Sequence, residues 1–191
     1  MGNCYRSLFF LLLCTALGCA GGSINLSGKS TDSGELQRKK TSQPIRPFRR
    51  AALKNANFTN SMLRGEDFSG AELAGVDFSG ADLKDADLSW SDLTGATLVK
   101  TDMRSSRLNG AILKGADFTG ANLTWADLRG ADCSDAIFTG ALLRVADLSF
   151  TNLSNVFLEG ADLAGATVSK KWRPYIEKKG ILSGEKIIWV E

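Results

Sequence analysis

The stretch Gly115–Cys133, which reads GADFTGANLTWADLRGADC, repeats itself every five residues. Its large apolar residues keep that interval at Phe118, Leu123, Leu128 and Cys133. Alanine stands two positions before each of them, and Asp or Asn one position before. A helix turns about 100° per residue and a strand alternates faces, so neither keeps a five-residue step on one side. The period therefore predicts a chain that turns a corner in every repeat and directs its Leu and Phe to one central axis.

The same period runs without interruption from Leu53 to Val168, over 24 apolar positions. Of these, 16 follow an alanine by two positions, 14 follow Asp or Asn by one, and 12 precede Gly by two. Short coils of this kind bury their apolar side chains only when they stack on one another. The pattern therefore predicts a solenoid that occupies most of the chain.

The repeats ADFTG, ANLTW, ADLRG and ADLSW resemble those of the pentapeptide repeat family, A-(D/N)-L-x-x. The resemblance covers residues 51–170 and implies an all-β fold, a right-handed quadrilateral parallel β-helix with one pentapeptide per side. Twenty-four repeats then make about six coils. Such a resemblance specifies a fold much better than an activity, because one fold hosts many functions.

Four repeats per coil place residues 20 apart on one interior column. Phe58, Phe78, Phe118 and Phe138 share such a column. We expect their rings to stack from coil to coil, which supports the four-sided register.

The N-terminal residues 1–18 are typical of a bacterial signal peptide. Arg6 precedes the short apolar run Leu8–Leu17. At the end of this run, Ala16, Leu17 and Gly18 lead directly to Cys19, as in a lipobox. This resemblance implies lipidation of Cys19, and the non-Asp residue Ala20 after it implies the outer membrane. We therefore expect a lipid-anchored protein of the bacterial cell envelope.

Two other interpretations of this segment remain open. One is plain secretion, with cleavage nearby and a periplasmic or secreted product. The other is myristoylation and palmitoylation at Gly2 and Cys4, although Arg6 occupies the position where that motif needs Ser or Thr.

Residues 19–50 are interpreted as the lipidated Cys followed by a flexible basic linker. Residues 20–50 carry seven Lys or Arg against two acids. Such a tether can also contact anionic lipid. We expect Pro44–Arg50 to fold over the open first coil.

The C-terminal residues 171–191 break the period and are interpreted as a cap. Trp172, Tyr175 and Ile176 can line one face of a short helix that ends at Gly180, and KIIWV, residues 186–190, reads as a strand. A solenoid end exposes unpaired backbone and core side chains, so capping is the first interpretation. A homodimer through this segment is the second.

Catalytic chemistry has no visible support in the sequence. The chain has no His, and its four Cys fall in the signal segment, at Cys19 and at the interior position Cys133. The repeated Asp residues are interpreted as turn-forming side chains. We therefore expect no catalytic site, no cofactor, no metal site and no nucleic acid partner.

Apolar residues replace Asp, Asn or Gly at several outward positions of the last coils. We expect them to form one exposed patch that contacts either the protein's own tail, another protein or a second copy of the chain. The candidate residues are Ile137, Leu142, Val145, Phe150 and Phe157.

Two functions from different classes follow from these features. The first is a non-enzymatic, lipid-anchored structural or protein-interaction module of the bacterial envelope. The second, implied by family members that mimic DNA and bind topoisomerases, requires that the N-terminus is not exported.

Overall fold

The computed structural model describes residues 46–178 and 186–191. The proposed signal peptide, Cys19 and the linker up to residue 45 lie outside the described residues. Gly180, where the C-terminal helix was expected to end, lies outside them too.

The repeats form a four-sided right-handed β-helix, as predicted. Isolated parallel bridges join residues 20 apart, beginning with Ala52 to Glu72 and ending with Leu142 to Asp162. Each coil therefore contains four pentapeptides, and the bridging residue is the one before each interior residue. We name the four sides by these bridging residues: the first side carries 52–152, the second 57–157, the third 62–162 and the fourth 67–167, each in steps of 20.

Three short parallel strands extend the fourth side at the C-terminal end of the solenoid. They are β1 (Asp147–Leu148), β2 (Thr167–Ser169) and β3 (Ile188–Val190), in the order β1-β2-β3. A 3₁₀ helix (Lys170–Trp172) and the helix α1 (Arg173–Lys178) follow β2. None of the described helices has the length and apolar character needed to cross a membrane.

The described part of the C-terminal segment caps the solenoid, as predicted. β3 pairs with β2 in parallel, and Ile176 and Ile187 are buried. Trp172 donates its indole N–H to the Thr151 carbonyl at 2.9 Å, which satisfies a backbone group of the last coil. The cap thus covers apolar core and pairs backbone at an end that would otherwise be open.

The axis is filled by the predicted apolar series, and its Phe rings stack as expected. Phe58 lies 5.3 Å from Phe78 and Phe118 lies 4.8 Å from Phe138, centroid to centroid, with nearly parallel rings. Burial of each such side chain contributes about 1.5–3 kcal/mol.

The structure adds Phe48 to this series, five residues before the first expected position. Phe48 is buried and stacks on Phe68 with centroids 4.6 Å apart. The aromatic ring thus covers the N-terminal end of the core, where the segment 44–50 was expected to fold over the first coil.

The corners are built by short-range turn chemistry. The Asp or Asn before each interior residue accepts the backbone N–H two residues later, as from Ser79 to Asp77 at 2.9 Å and from Thr119 to Asp117 at 2.9 Å. The last residue of each repeat that ends between residues 55 and 165 has positive φ, which Gly adopts without strain. These contacts confirm that the repeated Asp residues serve the turns.

Candidate interaction surfaces

The structure divides the expected single apolar patch among three parts of the surface. Ile137 and Phe157 lie on adjacent rungs of the second side, where they form a parallel bridge. Leu142 lies on the third side, and Val145 lies three residues later on the same coil. Phe150 lies on the edge between the fourth and first sides. The fourth side therefore separates Phe150 from Leu142 and Val145. The contiguous patch is therefore corrected to two neighbouring groups and one separate aromatic residue.

The described part of the tail leaves these residues open to solvent. Its hydrogen bonds reach Thr151 and Val156 at the end of the last coil, and β3 stacks on β2. Exposed fractions of the patch side chains are 50% for Phe157, 39% for Leu142, 54% for Val145 and 71% for Phe150. Ile137 is half-buried.

Two exposed tryptophans share edges of the solenoid with Val145 and Phe150, and neither was among the residues predicted from the sequence. Trp125 is 62% exposed and lies on the rung before Val145, on the edge between the third and fourth sides. Trp90 is 72% exposed and shares the edge between the fourth and first sides with Phe150. We call these the Trp125 edge (residues 65–165 in steps of 20) and the Trp90 edge (residues 50–170 in steps of 20).

These bulky side chains sit at strained backbone positions. Their φ values are positive: 59° at Trp90, 62° at Trp125, 56° at Val145 and 60° at Phe150. A left-handed conformation costs an L-residue about 1–2 kcal/mol, whereas Gly fills twelve other corners. The departure from Gly at the fifth position of a repeat is the sequence feature that identifies them, and strain at exposed residues points to a function.

Trp90 packs along its edge over the next coil. A Cβ added at Gly110 would lie 2.6 Å from the Trp90 ring, so the ring occupies the space that any side chain there would need. Because Gly110 has no side chain, the Trp90 ring can lie against the edge at this point, while most of the Trp90 side chain stays exposed.

A shallow groove of about 340 Å³ opens at the N-terminal end of the Trp90 edge. Arg49, Arg50 and Trp90 line it together with Ser69, Gly70 and Ser89. Gly70 separates Arg50 from Trp90 along the edge, and the Arg50 side chain lies against it, 3.3 Å from where a Cβ of residue 70 would be.

Arginines neutralise many of the surface carboxylates. Arg129 donates a hydrogen bond that lowers the pKa of Asp127, and Arg104 does the same to the pKa of Asp102. Arg129 also lies 3.8 Å from Asp147 on the next rung. The fourth side is therefore a surface of compensated charge between two edges with exposed aromatic residues.

Groups able to perform chemistry are not gathered anywhere in the described residues. No cluster of three or more potential metal ligands occurs there. Cys133 is fully buried, and this burial strongly raises the pKa of its thiol, as expected for an inert interior cysteine.

Comparison with known proteins agrees with this architecture. The family model described as Pentapeptide repeats matches residues 51–89, 86–124, 113–144 and 143–170, with eight copies. None of the curated proteins matches the chain.

Several solved structures are similar to the chain. HetL, a pentapeptide repeat protein involved in heterocyst differentiation regulation in the cyanobacterium Nostoc, is 34% identical over 63% of each chain, with a TM-score of 0.41. A pentapeptide repeat protein from the cyanobacterium Cyanothece is 28% identical over 60% of this chain and 89% of its own, with a TM-score of 0.48. One from the Arabidopsis thaliana thylakoid lumen is 34% identical over 61% and 77%, with a TM-score of 0.41.

Proposed function

Because the chain belongs to the pentapeptide repeat family, whose members are generally structural or interaction proteins, we propose that it is a lipid-anchored protein-interaction module. It is non-enzymatic, and Cys19 attaches it to the bacterial envelope at the outer membrane. The solenoid presents a rigid surface to a protein partner.

The observation that carries the interaction role is the apolar group on the Trp125 edge and the third side beside it. Trp125, Leu142 and Val145 are exposed on neighbouring rungs, and two of them occupy strained corners. Exposed aromatic and aliphatic side chains of this kind are typical centres of protein–protein contact. The rigid coils hold them in place, so binding orders few additional side chains.

The anchor is supported by the residues of the N-terminal segment. The apolar run and the sequence that ends in Cys19 fit a lipoprotein signal, and the basic residues up to Arg50 fit a tether beside anionic lipid. Release into the periplasm or the medium is the alternative if Cys19 is not acylated.

Topoisomerase binding by DNA mimicry is the second candidate. The acidic composition of residues 51–169, with 16 Asp or Glu against nine Lys or Arg, favours it. Interleaved arginines such as Arg107 and Arg129 interrupt the acidic columns and weaken the likeness to a phosphate backbone. Export through the signal peptide would also separate the protein from DNA.

Acylation and partner capture test the proposal in a bacterial host. Wild type should incorporate labelled palmitate and fractionate with membranes, and Cys19→Ala should do neither. Equal labelling of the two chains would refute the anchor.

The interaction role is tested on the same cells after mild cross-linking. Trp125→Asn combined with Leu142→Asn should abolish the cross-linked partner, and Met62→Asn should retain it because this exposed residue lies on the third side at the far end. A cross-link of twice the chain mass would identify a second copy as the partner. Unchanged cross-linking in the double variant would refute this surface as the binding site.

A further inference from the structure

We propose that the Trp90 edge contacts the surface of an anionic phospholipid membrane, with head-group phosphates in the groove beside Arg49 and Arg50. The inference rests on the proposed anchor, which brings the solenoid to the membrane. It assigns a second role to a different surface from the one proposed to bind protein.

The edge is basic at its N-terminal end and carries no acidic corner residue. Each of the seven residues of this edge follows one more corner residue, which gives the pairs 49/50 to 169/170 in steps of 20. None of these fourteen residues is acidic. The cations are Arg49, Arg50, Arg129 and Lys170. The Trp125 edge also carries cations, but Arg64, Arg104 and Arg144 are paired with Asp85, Asp102 and Asp162. Arg49 and Arg50 instead offer two adjacent guanidinium groups to an anionic surface.

The guanidinium groups of Arg49 and Arg50 at the groove are available to a bound anion. Arg49 and Arg50 are exposed, and within the described residues no ion pair engages them, whereas Arg129 pairs with Asp127 and Lys170 with Glu191. The groove's carboxylates are occupied, since Asp67 accepts from Arg46 at 2.6 Å and from the Ser69 hydroxyl.

The second groove carboxylate, Asp87, is occupied as well. It accepts from the Ser89 hydroxyl, and Arg107 lies 3.6 Å away. A phosphate beside Arg49 and Arg50 therefore meets unpaired guanidinium groups with its nearest acids already neutralised.

Aromatic side chains complete the edge. Trp90 and Phe150 are 72% and 71% exposed and lie three rungs apart, about 14 Å along the axis. Tryptophan beside basic residues is characteristic of the membrane interface, where the ring lies at head-group depth. The edge can therefore rest on a bilayer with its rings inserted and its guanidinium groups among the phosphates.

The proposed anchor supports this contact through effective concentration. A lipid on Cys19 would hold the solenoid beside the bilayer, which strengthens a contact that is weak by itself.

Vesicle binding tests this surface separately from the anchor. The probe chain starts at residue 20, so it carries no lipid and no signal peptide, and it retains the compact unit Arg46–Glu191. We expect it to bind vesicles of phosphatidylcholine with phosphatidylglycerol, to release them at high salt, and to ignore pure phosphatidylcholine. Failure to bind the anionic vesicles would overturn the inference and leave the palmitate result untouched.

Matched variants locate the contact. Each cation near a membrane strengthens binding about fivefold, so Arg49→Gln with Arg50→Gln should weaken it about 25-fold. Lys39→Gln with Lys40→Gln removes the same charge from the linker and should have a smaller effect. A larger effect of the linker variant would assign binding to the tether and refute the edge.

The aromatic residues provide a second comparison. Trp90→Asn should weaken vesicle binding severalfold, and Met62→Asn, which removes an exposed apolar side chain from the third side, should leave it unchanged. Equal effects of the two substitutions would refute the assignment. Circular dichroism of each variant verifies that the fold is retained.

Discussion

The interior columns and the corners of this solenoid share a five-residue period but obey different constraints. Every interior position from Leu53 to Val168 is apolar, because a side chain there is closed in by the coils above and below. The corners accept Gly, Asn, Asp, Arg, Lys, Ser, Trp, Val and Phe, because they need only a backbone that tolerates positive φ. The interior therefore specifies the fold, while the corners are free to differ and carry the features that distinguish this chain.

The largest expected effect tests the interior. Leu123 is fully buried in the middle of the solenoid, so Leu123→Ala removes buried surface and leaves a cavity. We expect a loss of about 2–5 kcal/mol in the free energy of unfolding, measured by denaturant titration. Thr139→Ala, at an exposed corner position, should change it by less than about 0.5 kcal/mol. Similar losses in both variants would contradict the difference between interior and corner.

The next prediction compares two corner glycines with the same backbone. Gly110 and Gly115 have φ values of 67° and 65°, but a Cβ at Gly110 would meet the Trp90 ring and one at Gly115 would meet nothing. Gly115→Ala should therefore cost about 1 kcal/mol from backbone strain alone. Gly110→Ala should cost about 1 kcal/mol more, because the ring must move. Equal unfolding midpoints for the two variants would show that Trp90 does not pack on its edge.

The same distinction explains which features the sequence could predict. The period identifies the interior, the four-sided register and the role of Asp, because each follows from local chemistry repeated many times. Phe48 escaped notice because it stands five residues before Leu53 in a segment rich in Arg and Pro. The five-residue period does reach Phe48, but Arg46, Pro47 and Arg50 stand there in place of Ala, Asp and Gly, so the other signals of a repeat are missing.

The candidate surface was harder to predict than the fold. The register alone places Phe150 on a different edge from Val145, but a list of apolar replacements read along the chain makes them look adjacent. Trp90 and Trp125 break the Gly pattern just as visibly as Val145 does. Their exposure, however, depends on how each ring lies against the next coil, which the sequence does not encode locally.

A third prediction tests the strain at a corner of the proposed interaction surface. Val145 is β-branched and has a φ of 56°, which Gly would adopt without cost. Val145→Gly should raise the free energy of unfolding by about 1 kcal/mol, the relieved strain exceeding the added entropy of the unfolded chain. The partner cross-link should weaken in the same variant. A loss of stability would show that Val145 contributes packing here and that its strain needs no functional explanation.

The smallest expected effect concerns the charges between the two edges. The hydrogen bond from Arg129 at 2.7 Å holds the pKa of Asp127 below its ordinary value. A carboxyl whose pKa is lower in the folded state stabilises the fold above its unfolded pKa, and that contribution is lost as the pH falls through the folded pKa. Arg129→Gln should therefore raise the pKa of Asp127, followed by NMR titration, and reduce the loss of stability on acidification.

The accompanying change in stability at neutral pH should be small, because the Arg129 side chain is 58% exposed and water screens the pair. Asp127 also accepts the backbone N–H of residue 129, and this turn contact survives the substitution to Gln. Asp127→Asn retains an acceptor for that turn and should be similarly mild. A much larger loss in Arg129→Gln would mean that the fourth side is held together by its ion pairs, and that charge at the surface constrains this fold as strongly as the apolar interior does.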